Sequence, residues 1–347
     1  VFDQLLGLDP STVNCTAASR FDGGTASASG PNAPPLVKCA REVLSHDFLA
    51  PTIGALLYPD LVQRFLPFPL LPDRAAAIEK AFETGWDKSV PAAYAGSFAK
   101  PFAPFRANAG APRRPVLLLN GTSVNTGQRL ITSNIGVDDV SFPDAIDFLD
   151  AFKGTLRVST AANNAARFPY IEPGGAYCGK NCGRDYVVDG GYFENFGAAT
   201  AEDLIEHIER VSPDPKRVWI VIAISSDPDL GDYKYDEFAR ECYRPGAAPT
   251  PLRVAAELTI PPIGLYRTRT ARGGYATKTL RHRVTEDLHG AYIAFRMTRP
   301  ANEAGPPLGW ALSDQARMSI DADLTRCPNE KARARVKTIL EGSWSPQ

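Results

Sequence analysis

Asp189, in the stretch VVDGGYFENFG, is the residue whose type and spacing best suit it to chemistry. It ends the β-forming run Tyr186, Val187, Val188, and Gly190 and Gly191 follow it without side chains. Another segment can approach such a carboxylate within hydrogen-bond distance, so it is placed to accept a proton. The competing reading is a turn or helix-capping aspartate. Ser225, Ser226 and Asp227 end the next apolar run and offer an alternative acid. His46, His207, His282 and His289 are the only four histidines, and none has a clear nucleophile partner in the sequence.

Cys178 and Cys182, four apart in YCGKNCG, read as a local disulfide, half of a metal site or two thiols. Zinc would need two more ligands that no nearby His or Cys supplies, so no metal is expected. GGYFENFG could cradle a phosphate at the opening of a helix. It lacks the Lys-Ser/Thr pair of a P-loop and the spacing of a dinucleotide fingerprint, so no cofactor is expected. Cys15, Cys39, Cys242 and Cys327 stand isolated, and six cysteines in 347 residues are too few for a disulfide framework.

The elements that must position Asp189 follow from periodicity. Ala201, Leu204, Ile205 and Ile208 lie at i, i+3, i+4 and i+7 within Ala198–Val211, so an amphipathic helix follows the Gly-Gly turn. Ser212, Pro213 and Pro215 end it before VWIVIAI, a continuous apolar run of the kind buried in parallel sheets. The expected unit is β-turn-α-β, with Asp189 at the carboxyl end of its first strand, where such folds gather ligands.

Upstream, residues 1–35 are rich in Ser, Gly, Asn and Pro and read as a flexible or irregular segment. From Phe48 to Leu71 only Asp60 and Arg64 are charged, and Pro51, Pro59, Pro67 and Pro69 divide the run into short pieces. These read as buried short helices or, alternatively, as an apolar surface for lipid or an acyl chain. Asp73 caps a surface helix that Gly85 stops; Val116–Leu119 reads as a buried strand, and 155–166 as a small-residue helix. A Tyr- and Asp-rich loop follows Ser226. Between Leu258 and Thr285 there is no acidic residue but six basic ones, which suits a solvated face or hairpin, or attraction to anionic headgroups. Tyr292–Met297 reads as a strand, and 313–324 and 330–340 as closing helices.

Composition narrows the classes. With 38 Lys and Arg against 39 Asp and Glu the net charge is −1, so nucleic acid is not an expected partner. No run approaches the roughly 18 apolar residues of a membrane span. The compartment stays open, with cytoplasmic and peripheral-membrane locations both compatible.

Three stretches, LLLNGTSVNTGQRLI, STAANNAARFPYIEP and VVDGGYFENFGAATA, followed by PLGWALS, occur in an order in which the chain resembles the patatin-like acyl hydrolases. The resemblance runs from Leu44 to Met318. It implies an α/β domain over 36–347 with a mainly parallel sheet flanked by helices, incomplete on its amino-terminal side. It also implies a lipid acyl hydrolase with a Ser-Asp dyad, the Asp-Gly-Gly motif making Asp189 the general base and Gly190 and Gly191 its supporting turn. The implied partner is a lipid or phospholipid acyl ester, with peripheral contact to a membrane. The family's G-x-S-x-G elbow and Gly-rich oxyanion loop occur nowhere in the chain, so the nucleophile is expected upstream of it. The chain alone is expected to be inactive. The alternative is an inactive lipid- or membrane-binding module.

Overall fold

The computed structural model describes residues 13, 15, 34–63, 65–67, 70–103, 115–152, 154–168, 171–178, 183–227, 256–297 and 313–344. The expectations for most of 1–35, for Cys182 and Cys242, for the Tyr- and Asp-rich loop and for PLGWALS apart from Ser313 lie outside the described residues. The chain divides into two compact units, one of Val1–Asp139, Pro143–Phe193 and Gly309–Asp314, the other of Val140–Phe142, Glu194–Leu308 and Gln315–Gln347.

In the first unit α1 (Pro35–Leu44) opens with Pro35, whose missing N–H costs nothing in a first turn. Helix α2 (Leu49–Ala55) continues through a π turn, Leu56–Asp60, into Leu61–Gln63. Pro51 and Pro59 therefore do not cut this run as expected, while its helical part ends at Gln63, before Pro67. Pro51 sits in the first turn, where N–H groups have no intrahelical partner, and Pro59 falls inside the π turn. Nor is the run buried throughout, since many of its large apolar side chains from Leu57 onward face solvent.

Asp73 does cap α3 (Arg74–Ser89), accepting from the Ala76 N–H at 2.9 Å. The helix runs past Gly85 rather than stopping there. Gly85 serves close packing: a Cβ would lie 3.0 Å from the Phe48 ring and 3.2 Å from His46. Much of α3 is buried, including Ile78, Glu79, Glu83 and Trp86, so it is not the surface helix expected.

The sheet of this unit has the order β3-β2-β1-β5-β4, from β1 (Leu118–Ser123), β2 (Arg129–Ser133), β3 (Ala145–Asp147), β4 (Gly175–Cys178) and β5 (Arg184–Asp189). Only β2 and β3 pair in parallel; β1–β2, β1–β5 and β4–β5 are antiparallel. This corrects the mainly parallel sheet to a mixed one. The short link after β1 is a hairpin connection, and a parallel crossover needs a dozen residues or more. Between the strands come α4 (Phe148–Ala151), capped by Asp147, and α5 (Val158–Asn164), within the helix expected over 155–166. Trp86, Phe98, Phe102, Leu130, Phe148 and Val187 form the core.

The second unit holds α6 (Ala198–Val211), β6 (Ile220–Ser225), α7 (Ala256–His282), β7 (Ala291–Arg296), α8 (Asp314–Asp323) and α9 (Asn329–Leu340). Helix α6 lies where its periodicity places it, and Ile205 packs with Leu280, Val284 and Tyr292. Strands β6 and β7 are parallel, but in a sheet of their own. The β-turn-α-β expectation therefore fails: β5 and β6 belong to different sheets, and the rule about carboxyl ends of parallel strands no longer bears on Asp189. Strand β6 also alternates in burial instead of being buried, with Ile224 83% exposed. The basic stretch is helical in α7, not a hairpin. The architecture is mixed α/β, and among the described residues no helix is long and apolar enough to cross a membrane.

Candidate functional site

Asp189 is half-buried at the end of β5 and caps the 3₁₀ turn Gly190–Tyr192. Its Oδ1 accepts from the Gly191 N–H at 2.6 Å, a capping role of the kind the competing reading describes. That bond fixes the carboxylate's direction at the strand end. Gly190 has a steric reason to be glycine: a Cβ would lie 2.3 Å from the Asn120 carbonyl oxygen of β1. Thr122 ties the turn down, donating to the Asp189 carbonyl at 3.0 Å and accepting from the Phe193 N–H at 3.2 Å. The Arg129 guanidinium lies over the Phe193 ring, 5.2 Å from its centroid.

Four residues earlier on β5, Asp185 forms a serine–aspartate pair that the sequence reading missed. Ser123 donates to Asp185 Oδ2 at 2.7 Å, and both residues are buried. Tyr177 donates to the same oxygen at 2.7 Å, while the N–H groups of Asn125 and Tyr186 donate to Oδ1 at 3.1 and 2.6 Å. Burial acts to raise this carboxyl, but the bonds from Ser123, Tyr177, Tyr186 and Asn125 outweigh it and hold it below its ordinary value. A carboxylate with four donors and a depressed pKa is a poor base. Its work is structural, clamping the β1–β2 turn to β4 and β5. The sequence signal was present: two aspartates four apart in a strand share a face.

A serine–histidine pair was also missed. His46 Nε2 lies 3.0 Å from Ser89 Oγ. Ser89 also donates to the Gly85 carbonyl at 2.8 Å, which ties its hydroxyl to its own helix. Burial lowers the His46 pKa, and Ser89 is fully buried, so this pair too is structural.

A third cluster joins α3 to α5. Arg157 bridges Glu79 and Glu83 at 2.7 Å each, Ser159 donates to Glu83 at 2.9 Å and Thr160 to Glu79 at 2.8 Å. Beside it Glu172 is buried, and neither of its oxygens hydrogen-bonds to any described residue. Burial pushes its carboxyl up to about 7, against opposing pulls from the neighbouring Asn163 and Arg167.

The remaining candidates sit in local arrangements of their own. Ser225 holds the Asp227 N–H at 3.0 Å in a local turn, and His207 lies 3.3 Å from Arg210 on α6. Cys178 lies on β4. Two cysteines that look isolated in the sequence, Cys15 and Cys39, form a disulfide, and Cys327 is also disulfide-bonded. Among the described residues no group of three or more His, Cys, Asp or Glu is placed to hold a metal ion. No family model, no curated protein and no solved structure matches the chain.

Proposed function

We propose that this chain is the larger carboxyl-terminal portion of a patatin-like lipid acyl hydrolase, with Asp189 as general base and a serine outside the chain as nucleophile. The observation that carries the reading is the Asp189 carboxylate, half-buried at a strand end and oriented by the Gly191 N–H in a turn without side chains at Gly190 and Gly191. Of the two aspartates on that face of β5, Asp185 is buried and Asp189 is half-buried. In the proposed step the serine hydroxyl attacks the ester carbonyl carbon as its proton passes to Asp189. The tetrahedral oxyanion then collapses, and the leaving alcohol takes that proton from Asp189. Water hydrolyses the acyl-enzyme by the same route.

The test is ester hydrolysis by the polypeptide extended upstream and by its Asp189→Asn form. Asparagine keeps the cap, so the fold is retained while activity falls by at least about a hundredfold. Equal activity removes Asp189 from the mechanism. The 347-residue chain is expected to resist a fluorophosphonate probe, and stoichiometric labelling would reveal a nucleophile within it.

A second reading, a module that binds lipid without chemistry, is favoured by the exposed apolar side chains between Leu57 and Leu71. An upstream sequence without a G-x-S-x-G elbow would decide for it.

A further inference from the structure

Between Leu57 and Leu71 the first unit turns large apolar side chains outward. Phe65 is 83% exposed, Tyr58 73% and Leu70 65%, and Leu57, Leu61 and Leu71 join them. Soluble proteins rarely gather so much exposed apolar surface in one short stretch unless something covers it.

These side chains are held in place. Thr52 and Ala55, one helical turn earlier, are buried. Asp60 is buried and pairs with Arg74 of α3, and Gln63 donates to it at 3.2 Å. Gln63 then reaches forward and accepts from the Leu71 N–H at 3.2 Å, closing the run on itself.

Charge and shape select the occupant. Residues 49–72 contain one acid, Asp60, and one base, Arg64. Because the acid is turned inward onto Arg74, the segment presents no anionic side chain to whatever it meets. That suits an anionic headgroup layer, and it removes the acidic half of the ion pairs common at the polar rim of a protein interface. Side chains as exposed as Phe65, Tyr58 and Leu70 also demand a matching surface from a folded partner. A fluid acyl phase fills in around each one without such a match, and aromatic residues favour that boundary.

We infer that this face is where the protein meets a phospholipid surface, with Phe65 and Leu70 entering the acyl boundary. The inference rests on lipid as the partner, common to both readings above, and does not require Asp189 to act as a base.

The test uses the whole chain and vesicles of diether phosphatidylcholine, with and without diether phosphatidylglycerol, whose lack of ester bonds separates binding from turnover. Co-sedimentation of the wild type is expected, stronger with the anionic lipid. The Phe65→Ser/Leu70→Ser variant is expected to bind at least about tenfold more weakly, while Leu340→Ser, at an exposed leucine elsewhere, binds as the wild type does. If the double variant misfolds by circular dichroism, Phe65→Trp substitutes for it: vesicles are expected to shift its added emission to the blue. No binding by the wild type, equal binding by a folded double variant, or no emission shift overturns the inference. So does a wild type that ignores vesicles but forms a dimer that the double variant lacks, which would assign the face to a second copy. Binding without ester turnover by the extended protein would sink the hydrolase reading and leave this one standing.

Discussion

The Asp189 N–H donates to the Arg167 carbonyl oxygen at 3.3 Å, which ties the end of β5 to the turn after α5. Arg167 is itself buried and anchored, donating to Asn164 at 2.8 Å and to the Pro173 carbonyl at 2.9 Å. The candidate base is thus held from both sides, by Arg167 behind it and by the Gly191 N–H ahead of it. The small-residue helix and the aspartate motif, far apart in sequence, meet at this bond.

Gly190→Ala is expected to cost about 3 kcal/mol, since its methyl group would overlap the Asn120 carbonyl and strand backbone cannot yield as a side-chain tip does. Thermal and denaturant melts check this, and a variant of unchanged stability would mean that the turn sits further from β1.

Asp185 and Ser123 are expected to couple in folding and to leave catalysis alone. Asp185→Asn should destabilise by about 2 kcal/mol and Ser123→Ala by less, with a non-additive double variant. The folded pKa of Asp185 is depressed, so its contribution is present above its unfolded value near 4 and is lost as pH falls through the folded one. Melts of wild type and Asp185→Asn from pH 2 to 7 should therefore converge at the acid end. Parallel curves would contradict the clamp.

Glu172 should produce the opposite slope. Its folded pKa, about 7, lies above the unfolded value of 4.5, so the protonated form is the one the fold accommodates. Its contribution is intact below the unfolded value and is lost as pH rises through 7, up to about 3 kcal/mol. Glu172→Gln is therefore expected to be more stable than the wild type at pH 8 and nearly equal at pH 4.5. A difference between the two proteins that does not change with pH would show that Glu172 is solvated.

The Cys15–Cys39 disulfide spans 24 residues of sequence. Loop-closure entropy gives it about 3 kcal/mol, so reduction or Cys39→Ala should lower the melting temperature by several degrees. Peptide mapping without reductant that recovers both thiols alkylated would remove the bond.

Local signals were legible in the sequence. The Asp73 cap, the amphipathic period of Ala198–Val211 and the β-formers ahead of Asp189 each appear in the fold near where they read, because capping and side-chain period act within one or two turns of chain. The candidate site was legible as a residue and a turn, but its steric basis, the Asn120 carbonyl against Gly190, comes from a strand far away in the sequence.

What tertiary structure alone decided is which distant segments meet. An apolar run reads the same whether its neighbour is parallel or antiparallel, so pairing direction in the five-stranded sheet had to come from the fold. The partners of Asp185, the Ser89–His46 pair and the Cys15–Cys39 bond likewise join remote positions, which a local pattern does not connect. Hydrophobicity along 48–71 states how much apolar surface exists, and only the packing of that run on α3 decides which side chains remain for a partner to cover.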